Sequence, residues 1–215
     1  PIVNHLIETS VVVVRADSPY KTLKELVTAA KAKSNMRAST NGMKASNHTA
    51  AQLFAQSAGF KYKAIPYGGT ADQLLALRQG EVQFTCAKVA DVAKLVSGDK
   101  PELRILGAFD TKRLAEYPDV PTLGELGYYP NWYGSARALV APAGTPDDVI
   151  AFYVDAFKKT MNDPQTIEQH KKAGLSMQFM DNKELGKLIK QQEVFCRDKV
   201  SQLCLLYTSP SPRDA

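Results

Sequence analysis

The chain has 215 residues and a formal net charge of +5, with 44% hydrophobic and 23% charged residues. These values are ordinary for a globular protein of one large or two small domains. The longest apolar run, Val11 to Val14, is far too short to cross a bilayer. The lysines and arginines are scattered instead of clustered, which argues against a nucleic-acid partner.

Both ends of the chain are unusual. The sequence begins at Pro1 without a methionine, which predicts an interior fragment whose upstream part would carry any signal peptide. At the other end, the run from Cys204 to Asp214 matches a translated transposase-type sequencing adapter residue for residue, and we interpret 204–215 as a non-native tail. Of the three cysteines this leaves Cys86 and Cys196, which match no metal or redox spacing and are interpreted as buried or incidental thiols.

Strand and helix signals alternate along the whole chain, which predicts an α/β protein with a mainly parallel sheet. The predicted strands lie at Val11–Val14, Arg37–Ser39, Lys63–Pro66, Val82–Cys86, Leu103–Phe109, Ala138–Ala141 and Met177–Phe179. The predicted helices begin at the capping signals Thr22 with Glu25, Ser46 or Asn47, Thr70 with Gln73, Thr122 with Glu125, Thr145, Asp163, and Asp181 with Glu184. The most regular apolar spacing, that of Val89, Val92, Ala93 and Val96, predicts a further helix.

Two loops of small residues each connect a predicted strand to a predicted helix. The first is Ser39 to Ser46, which contains Gly42, and the second is Tyr67 to Thr70, which contains Gly68 and Gly69. Such loops expose backbone N–H groups, and the first turn of a helix leaves its own N–H groups unpaired at the positive end of the helix dipole. In an open α/β sheet both loops would face the crevice beyond the carboxyl ends of the strands and hold one small anion. Alternatively, these glycines serve only the turns.

The sequence lacks the motifs of common α/β enzymes. It contains no dinucleotide-binding G-x-G-x-x-G, no P-loop and no G-x-S-x-G nucleophile elbow. The three histidines, His5, His48 and His170, are too dispersed for a metal site. We therefore predict no catalytic residue, no metal ligand and no cofactor, and we expect His48 on a first helical turn to be neutral.

Further segments carry a resemblance to a known family. They are Pro66–Gly69, Tyr117–Thr122 and the stretch from Trp132 to Pro146, which ends in Ala141–Pro146. With the two loops, they closely resemble the substrate-binding proteins of tripartite tricarboxylate transporters, the Bug receptors, over about residues 3 to 200. The resemblance implies an α/β, two-lobed periplasmic binding protein of type II (Venus-flytrap), with the first lobe incomplete. It also implies a non-enzymatic monomer that captures a small carboxylate in the periplasm and delivers it to membrane permease subunits.

The resemblance assigns ligand contacts to two loops, 39–46 with the nearby His48 and 67–70, and to a third region at about 85–88. The predicted ligand-binding residues are Ser39, Thr40, Asn41, Gly42, Ala45, Ser46, His48, Tyr67, Gly68, Gly69, Thr70, Thr85 and Ala87. Lys44 stands where the family usually has glycine, so it either adds a charge to the site or points to water, and Gln83 stands where the family usually has aspartate. The crossover strands correspond to Val11–Arg15 and about Trp132–Leu139. This places residues 16–131 in one lobe and residues 1–15 and 132–203 in the other.

Two expectations about function complete the prediction. By the same likeness, the opening strand and glycine-rich loop of the first lobe lie upstream of Pro1, so we expect this chain alone to bind carboxylates poorly. The alternative to a transport receptor is the ligand-sensing effector domain of a transcription regulator, which can share the two-lobed fold. A helix-turn-helix encoded upstream would favour that alternative, and a signal peptide would exclude it.

Overall fold

The computed structural model describes residues 1–33 and 35–200. Its strands are β1 (Val3–Arg15), β2 (Arg37–Thr40), β3 (Lys63–Pro66), β4 (Phe84–Lys88), β5 (Leu103–Ala108), β6 (Gly134–Leu139) and β7 (Met177–Met180). Its helices are α1 (Leu23–Ala32), α2 (Ser46–Ala58), α3 (Thr70–Arg78), α4 (Val89–Val92), α5 (Asp147–Met161), α6 (Pro164–Lys172) and α7 (Asn182–Phe195), with a π-helical turn at Cys196–Val200. Within these ranges, no helix combines the length and the apolar content that a membrane span requires. The predicted non-native tail, 204–215, lies outside the described residues.

The chain divides into two compact units. Unit 1 consists of Pro1–Glu8 and the chain from Ala136 onward, and unit 2 consists of Thr9–Ser135. The chain passes from one unit to the other within β1 and again within β6. The predicted lobe at 16–131 lies inside unit 2, and the assignment of these units to the lobes of a binding protein stays a prediction.

The sheet of unit 2 has the strand order β3-β2-β4-β1-β5. β2 runs parallel to β3 and β4, whereas β1 runs antiparallel to both β4 and β5. The prediction of a mainly parallel sheet is therefore wrong. Alternating helices and strands indicate which strands a crossover connects, here β4 and β5, but they do not reveal that β1 is inserted between the two in the opposite direction.

Apolar side chains cover both faces of this sheet. One face carries a cluster that includes Val11, Val13, Leu74, Leu77 and Ala87. On the other face Phe54 of α2 packs edge-to-face against Phe84 of β4, with ring centroids 6.0 Å apart. Because side chains alternate along a strand, Phe84, Cys86 and Lys88 share the α2 face, and Thr85 and Ala87 share the α3 face.

The helix predicted from Val89 to Val96 is wrong beyond its first turn, because α4 ends at Val92. Here the chain turns back, and the Leu95 carbonyl accepts the N–H groups of both Glu102 and Leu103 at 2.9 Å. Val92 is nevertheless fully buried, and Val96 packs against the same core. The apolar spacing thus predicted burial correctly and helix length incorrectly.

Other helix starts show how local capping succeeds or fails. The capping box of Thr22 with Glu25 forms as predicted at the start of α1. The pair Thr122 and Glu125 also forms its reciprocal bonds, at 3.0 and 2.8 Å, but they close a series of turns instead of a helix. The Thr145 hydroxyl donates to a carbonyl three residues earlier, so α5 begins later than predicted and without a side-chain cap.

Unit 1 is built on the first part of β1, with which β6 and β7 pair. β6 begins at Gly134, earlier than the predicted Ala138, and the Ile2 N–H donates to the carbonyl of its last residue at 2.9 Å. The caps predicted at Asp163 and Asp181 are confirmed. Neither α5 nor α6 contains a fully buried residue.

The two cysteines outside the predicted tail differ in environment. Cys86 is fully buried in β4, and this burial raises the pKa of its thiol, whereas Cys196 is exposed. A thiol that stays protonated is a poor nucleophile, so Cys86 acts as a small core residue.

Candidate functional site

The two predicted loops follow strands that lie side by side in unit 2. β2 and β3 are parallel neighbours, and the Tyr67 N–H after β3 donates to the carbonyl of Thr40, the last residue of β2, at 2.9 Å. Both loops therefore leave the same edge of the sheet from adjacent positions. Gly42 and Gly69 are half-buried and Gly68 is exposed, so packed side chains do not cover either loop.

The first loop is shaped by Thr40 and by two residues in the left-handed region. The Thr40 hydroxyl donates to the Gly42 carbonyl at 3.1 Å and accepts the Gly42 N–H at 3.3 Å. Gly42 has a φ of 123° and Lys44 a φ of 64°. The conformation of Lys44 is one that glycine adopts without steric cost, which gives a physical reason for the glycine that the family usually has there. The Lys44 side chain itself is exposed.

α2 begins after Ala45, which makes no side-chain capping bond, so the prediction that Ser46 or Asn47 caps this helix is wrong. Both residues lie within the first turn, where their side chains accept hydrogen bonds from the ammonium of Lys88. The distances are 3.4 Å to Ser46 Oγ and 3.2 Å to Asn47 Oδ1. Lys88 also donates to Ser10 Oγ at 2.9 Å and thereby joins α2 to β1 and β4.

His48 lies buried on the first turn of α2, and its Nδ1 accepts the Lys44 N–H at 3.0 Å. An accepting nitrogen carries no proton, so this contact assigns the Nε2–H tautomer of the neutral ring. Burial lowers the pKa of His48 from its ordinary value of 6.5. These observations agree with the neutral histidine expected from the sequence.

The second loop leads into α3 without a side-chain cap. Gly69 is the N-cap and Thr70 the first helical residue, so the predicted capping box of Thr70 with Gln73 is wrong. Gln73 is instead fully buried, where its Nε2 donates to the Cys86 carbonyl at 2.7 Å and its Oε1 accepts Asn47 Nδ2 at 3.0 Å. Gln73 is a residue that sequence reasoning misassigned, because a capping box uses the same residue type at the same spacing.

Three predicted ligand contacts lie beneath the loops. Ser39, Thr85 and Ala87 are all fully buried. The Ser39 hydroxyl donates to the Gln73 carbonyl at 2.9 Å, and the Thr85 hydroxyl donates to the Ser39 carbonyl at 2.7 Å. These residues support the loops from the sheet, and a direct contact between them and a ligand stays a prediction.

The side chains of two further residues bond to residues outside the loops. The Tyr67 hydroxyl donates to the Glu81 carboxylate at 2.7 Å, and this bond raises the pKa of the phenol. Gln83 accepts the N–H of Arg37, the first residue of β2, at 2.9 Å. Since the loops follow the last residues of β2 and β3, the departure from the family at Gln83 lies at the other end of the strands.

The remaining chemistry around the loops is that of hydrogen bonding to a polar or anionic molecule. Asn41 is half-buried, and its Oδ1 is a buried oxygen that accepts no hydrogen bond from the residues that the structure describes. In the same part of the chain, no group of three or more His, Cys, Asp and Glu side chains is placed to hold a metal ion. The arrangement offers a ligand the loop N–H groups, the Ser46 and Thr70 hydroxyls and the side-chain oxygen of Asn41, Oδ1.

Similarity to known proteins identifies the family. A model described as "TctC: Tripartite tricarboxylate transporter family receptor" matches residues 1–201. The chain belongs to this receptor family. The family predicted from the sequence is thus confirmed.

Curated relatives of this TctC-family chain are longer than the chain itself. The "UPF0065 protein in gbd 5'region" of Cupriavidus necator is 33% identical over 173 residues, which cover 80% of this chain and 52% of the relative. Protein BugT of Bordetella pertussis is 30% identical over 111 residues, which cover 51% of this chain and 33% of the relative. The chain thus spans about half the length of the Cupriavidus necator relative.

Solved structures share the fold. A TctC solute binding protein from Polaromonas superposes with a TM-score of 0.81 at 23% identity, covering 94% of this chain and 69% of that one. The periplasmic binding protein BugD gives a TM-score of 0.74 at 24% identity, covering 92% of this chain and 68% of that one. The predicted fold class, an α/β periplasmic binding protein, is confirmed.

Proposed function

We propose that this chain is part of a periplasmic receptor that captures a small carboxylate and delivers it to the permease subunits of a tripartite tricarboxylate-type transporter. The observation that carries this proposal is the pair of uncovered loops, 40–46 and 67–70, at adjacent strand ends of a TctC-family chain. Family membership favours a transport receptor over the regulator domain. A receptor of this kind acts as a monomer and needs no catalytic residue or cofactor.

The loops offer an anion the groups that it needs. A carboxylate in the crevice would accept N–H groups from the loops and from the first turns of α2 and α3, which both begin without a side-chain cap. Gly42, Gly68 and Gly69 let the backbone approach the ligand closely, because they carry no side chain. The Asn41 oxygen would accept a hydroxyl or ammonium hydrogen elsewhere on the same ligand.

Two neighbours in the fold indicate the size of ligand to test. Rpa4515 of R. palustris was solved with adipate, with a TM-score of 0.78 at 19% identity over 94% of this chain. MatC from Rhodopseudomonas palustris was solved with bound malate, with a TM-score of 0.64 at 19% identity over 82% of this chain. We therefore propose short dicarboxylates as the first probes.

The test is a titration of the 15N-labelled chain, followed by NMR, with malate and adipate and with the corresponding diamides as uncharged controls of the same shape. We expect weak, millimolar binding of the acids, since the chain spans about half of its relatives, with the largest shifts at the amides of Ser46, Gly69 and Thr70. The diamides should leave these amides unchanged. Equal binding of acid and diamide, or shifts confined to other parts of the chain, would contradict the proposal.

A further inference from the structure

Lys88, at the carboxyl end of β4, places a cation in the interior beside the first loop. The residue is only 5% exposed. Its ammonium donates to Ser10 Oγ, Asn47 Oδ1 and Ser46 Oγ, at 2.9, 3.2 and 3.4 Å, and lies 5.9 Å from the centre of the Tyr133 ring. These three neutral oxygens, one on β1 and two on the first turn of α2, help to hold the ammonium in place.

Holding a positive charge at this location costs free energy, which a residue with only a packing role would avoid. Ser46 and Asn47 are the first two residues of α2, so Lys88 lies at the positive end of the helix dipole, where a cation is unfavourable. Burial adds the cost of removing the ammonium from water, and an apolar side chain of similar length would avoid both costs. An anion bound at the first loop would interact favourably with the ammonium and with the dipole together.

Ser46 connects this cation with the open side of the loop. It is half-buried, and its Oγ accepts from Lys88 while its carbonyl accepts the Tyr133 hydroxyl at 3.3 Å. A hydroxyl that accepts one hydrogen bond keeps its own hydrogen to donate, and no acceptor within residues 1–33 and 35–200 takes that hydrogen. A cation behind the oxygen strengthens this donation, because linked hydrogen bonds polarise one another.

We propose that Ser46 and Lys88 form a charge-selecting pair in the ligand site. The Ser46 hydroxyl donates to a carboxylate oxygen of the ligand, and the Lys88 ammonium makes this position prefer a carboxylate to a neutral amide. This inference rests on the proposed function, because it requires the ligand to occupy the first loop. It adds the residues that select the ligand by its charge, in addition to the main-chain groups that hold it.

The test compares binding of adipate and adipamide in five forms of the full chain at constant ionic strength, by NMR titration. The forms are wild type, Lys88→Met, Ser46→Ala, the double variant and Lys94→Met, which removes one charge from an exposed position of unit 2. We expect Lys88→Met and Ser46→Ala each to lower the preference for adipate over adipamide by about tenfold. The double variant should lose no more of this preference than either single variant, because the two residues act as one unit. Lys94→Met should retain the wild-type preference.

Each contrary outcome has a separate meaning. If Lys88→Met and Ser46→Ala weaken both probes by the same factor, the pair has only a structural role and the inference is wrong, while the receptor function stands. If wild type binds neither probe, the proposed function fails and this inference fails with it. If Lys88→Met does not give the dispersed NMR spectrum of a folded chain, Ser46→Ala decides the question, because it removes only a half-buried hydroxyl.

Discussion

The two units of the chain differ in how they bury their apolar side chains. In unit 2 the fully buried residues include three aromatic rings, Phe54, Phe84 and Phe109, and apolar side chains cover both faces of its five-stranded sheet. Among the described residues of unit 1, the buried hydrophobic side chains are those of Ile2, Val3, Leu6 and Leu185. Of the nine large hydrophobic side chains that are exposed in the described part of the chain, seven lie in unit 1, namely Val140, Val149, Phe152, Tyr153, Ile167, Ile189 and Val194. The candidate loops therefore stand on the unit with the more complete core.

Truncation of one aromatic ring in each unit tests this comparison with the largest expected effect. Phe54→Ala should lower the free energy of unfolding by roughly 3–5 kcal/mol, because it leaves a cavity between α2 and β4. Phe152→Ala in α5 should change it by less than about 0.5 kcal/mol, because that ring is 67% exposed. Denaturant unfolding of both variants measures the difference, and equal losses would contradict the comparison.

The polar network beneath the loops gives the next largest effect. Gln73→Ala should lower the free energy of unfolding by about 2–3 kcal/mol. The substitution removes the hydrogen-bond partner of Asn47 Nδ2 and of the Cys86 carbonyl, and both groups are buried. Gln56→Ala, on the exposed face of α2, is the matched control and should stay within about 0.5 kcal/mol of wild type. If the two variants unfold at the same denaturant concentration, the network does not stabilise unit 2 as described.

Lys44→Gly tests the description of the first loop, and unlike the substitutions above it should stabilise the chain. Because Lys44 has a φ of 64°, glycine should raise the free energy of unfolding by about 0.5–1 kcal/mol. Lys24→Gly, within α1, should lower it by about 1 kcal/mol, because glycine is unfavourable inside a helix. A loss of stability in both variants would show that the loop does not hold Lys44 in the left-handed region.

The smallest effect concerns pH. Burial lowers the pKa of His48 in the folded chain, so between that pKa and the ordinary value of 6.5 the unfolded chain binds the proton more readily. Stability should therefore fall as the pH decreases through about 6.5, and it should stop falling below the folded pKa. His48→Asn has no such proton site, and its unfolding free energy should fall less between about pH 7.5 and about pH 5.5. Identical pH profiles would show that His48 is not held neutral.

Local interactions were predictable from the sequence, and pairings between distant residues were not. Thr22 with Glu25 and Asp181 with Glu184 form their capping boxes as predicted, because the partners lie three residues apart in the chain. The same pattern at Thr70 failed, because the side chain of its partner Gln73 bonds instead to Asn47, 26 residues away. Nothing in the local sequence signals that tertiary bond.

The same limit applies to the candidate site. The small residues of the two loops, including Gly42 and Gly69, indicated main-chain groups at strand ends, and the structure places these loops on adjacent strands. The resemblance placed Lys88 only at the end of an approximate contact region, 85–88. The sequence did not indicate its burial, since a lysine at a strand end is usually solvated, and its partners Ser10 and Asn47 are 78 and 41 residues away. The pattern thus predicted two loops that lie at adjacent strand ends, and only the fold revealed the side chains that support them.

The most direct test of the account is a crystal structure of the chain soaked with adipate. We expect one carboxylate of adipate to accept hydrogen bonds from the main-chain N–H groups of both loops, 40–46 and 67–70, with the Ser46 hydroxyl in contact with it. Adipate bound elsewhere on the chain, with both loops unoccupied at saturating ligand, would contradict the assignment of these loops as the anion-binding site.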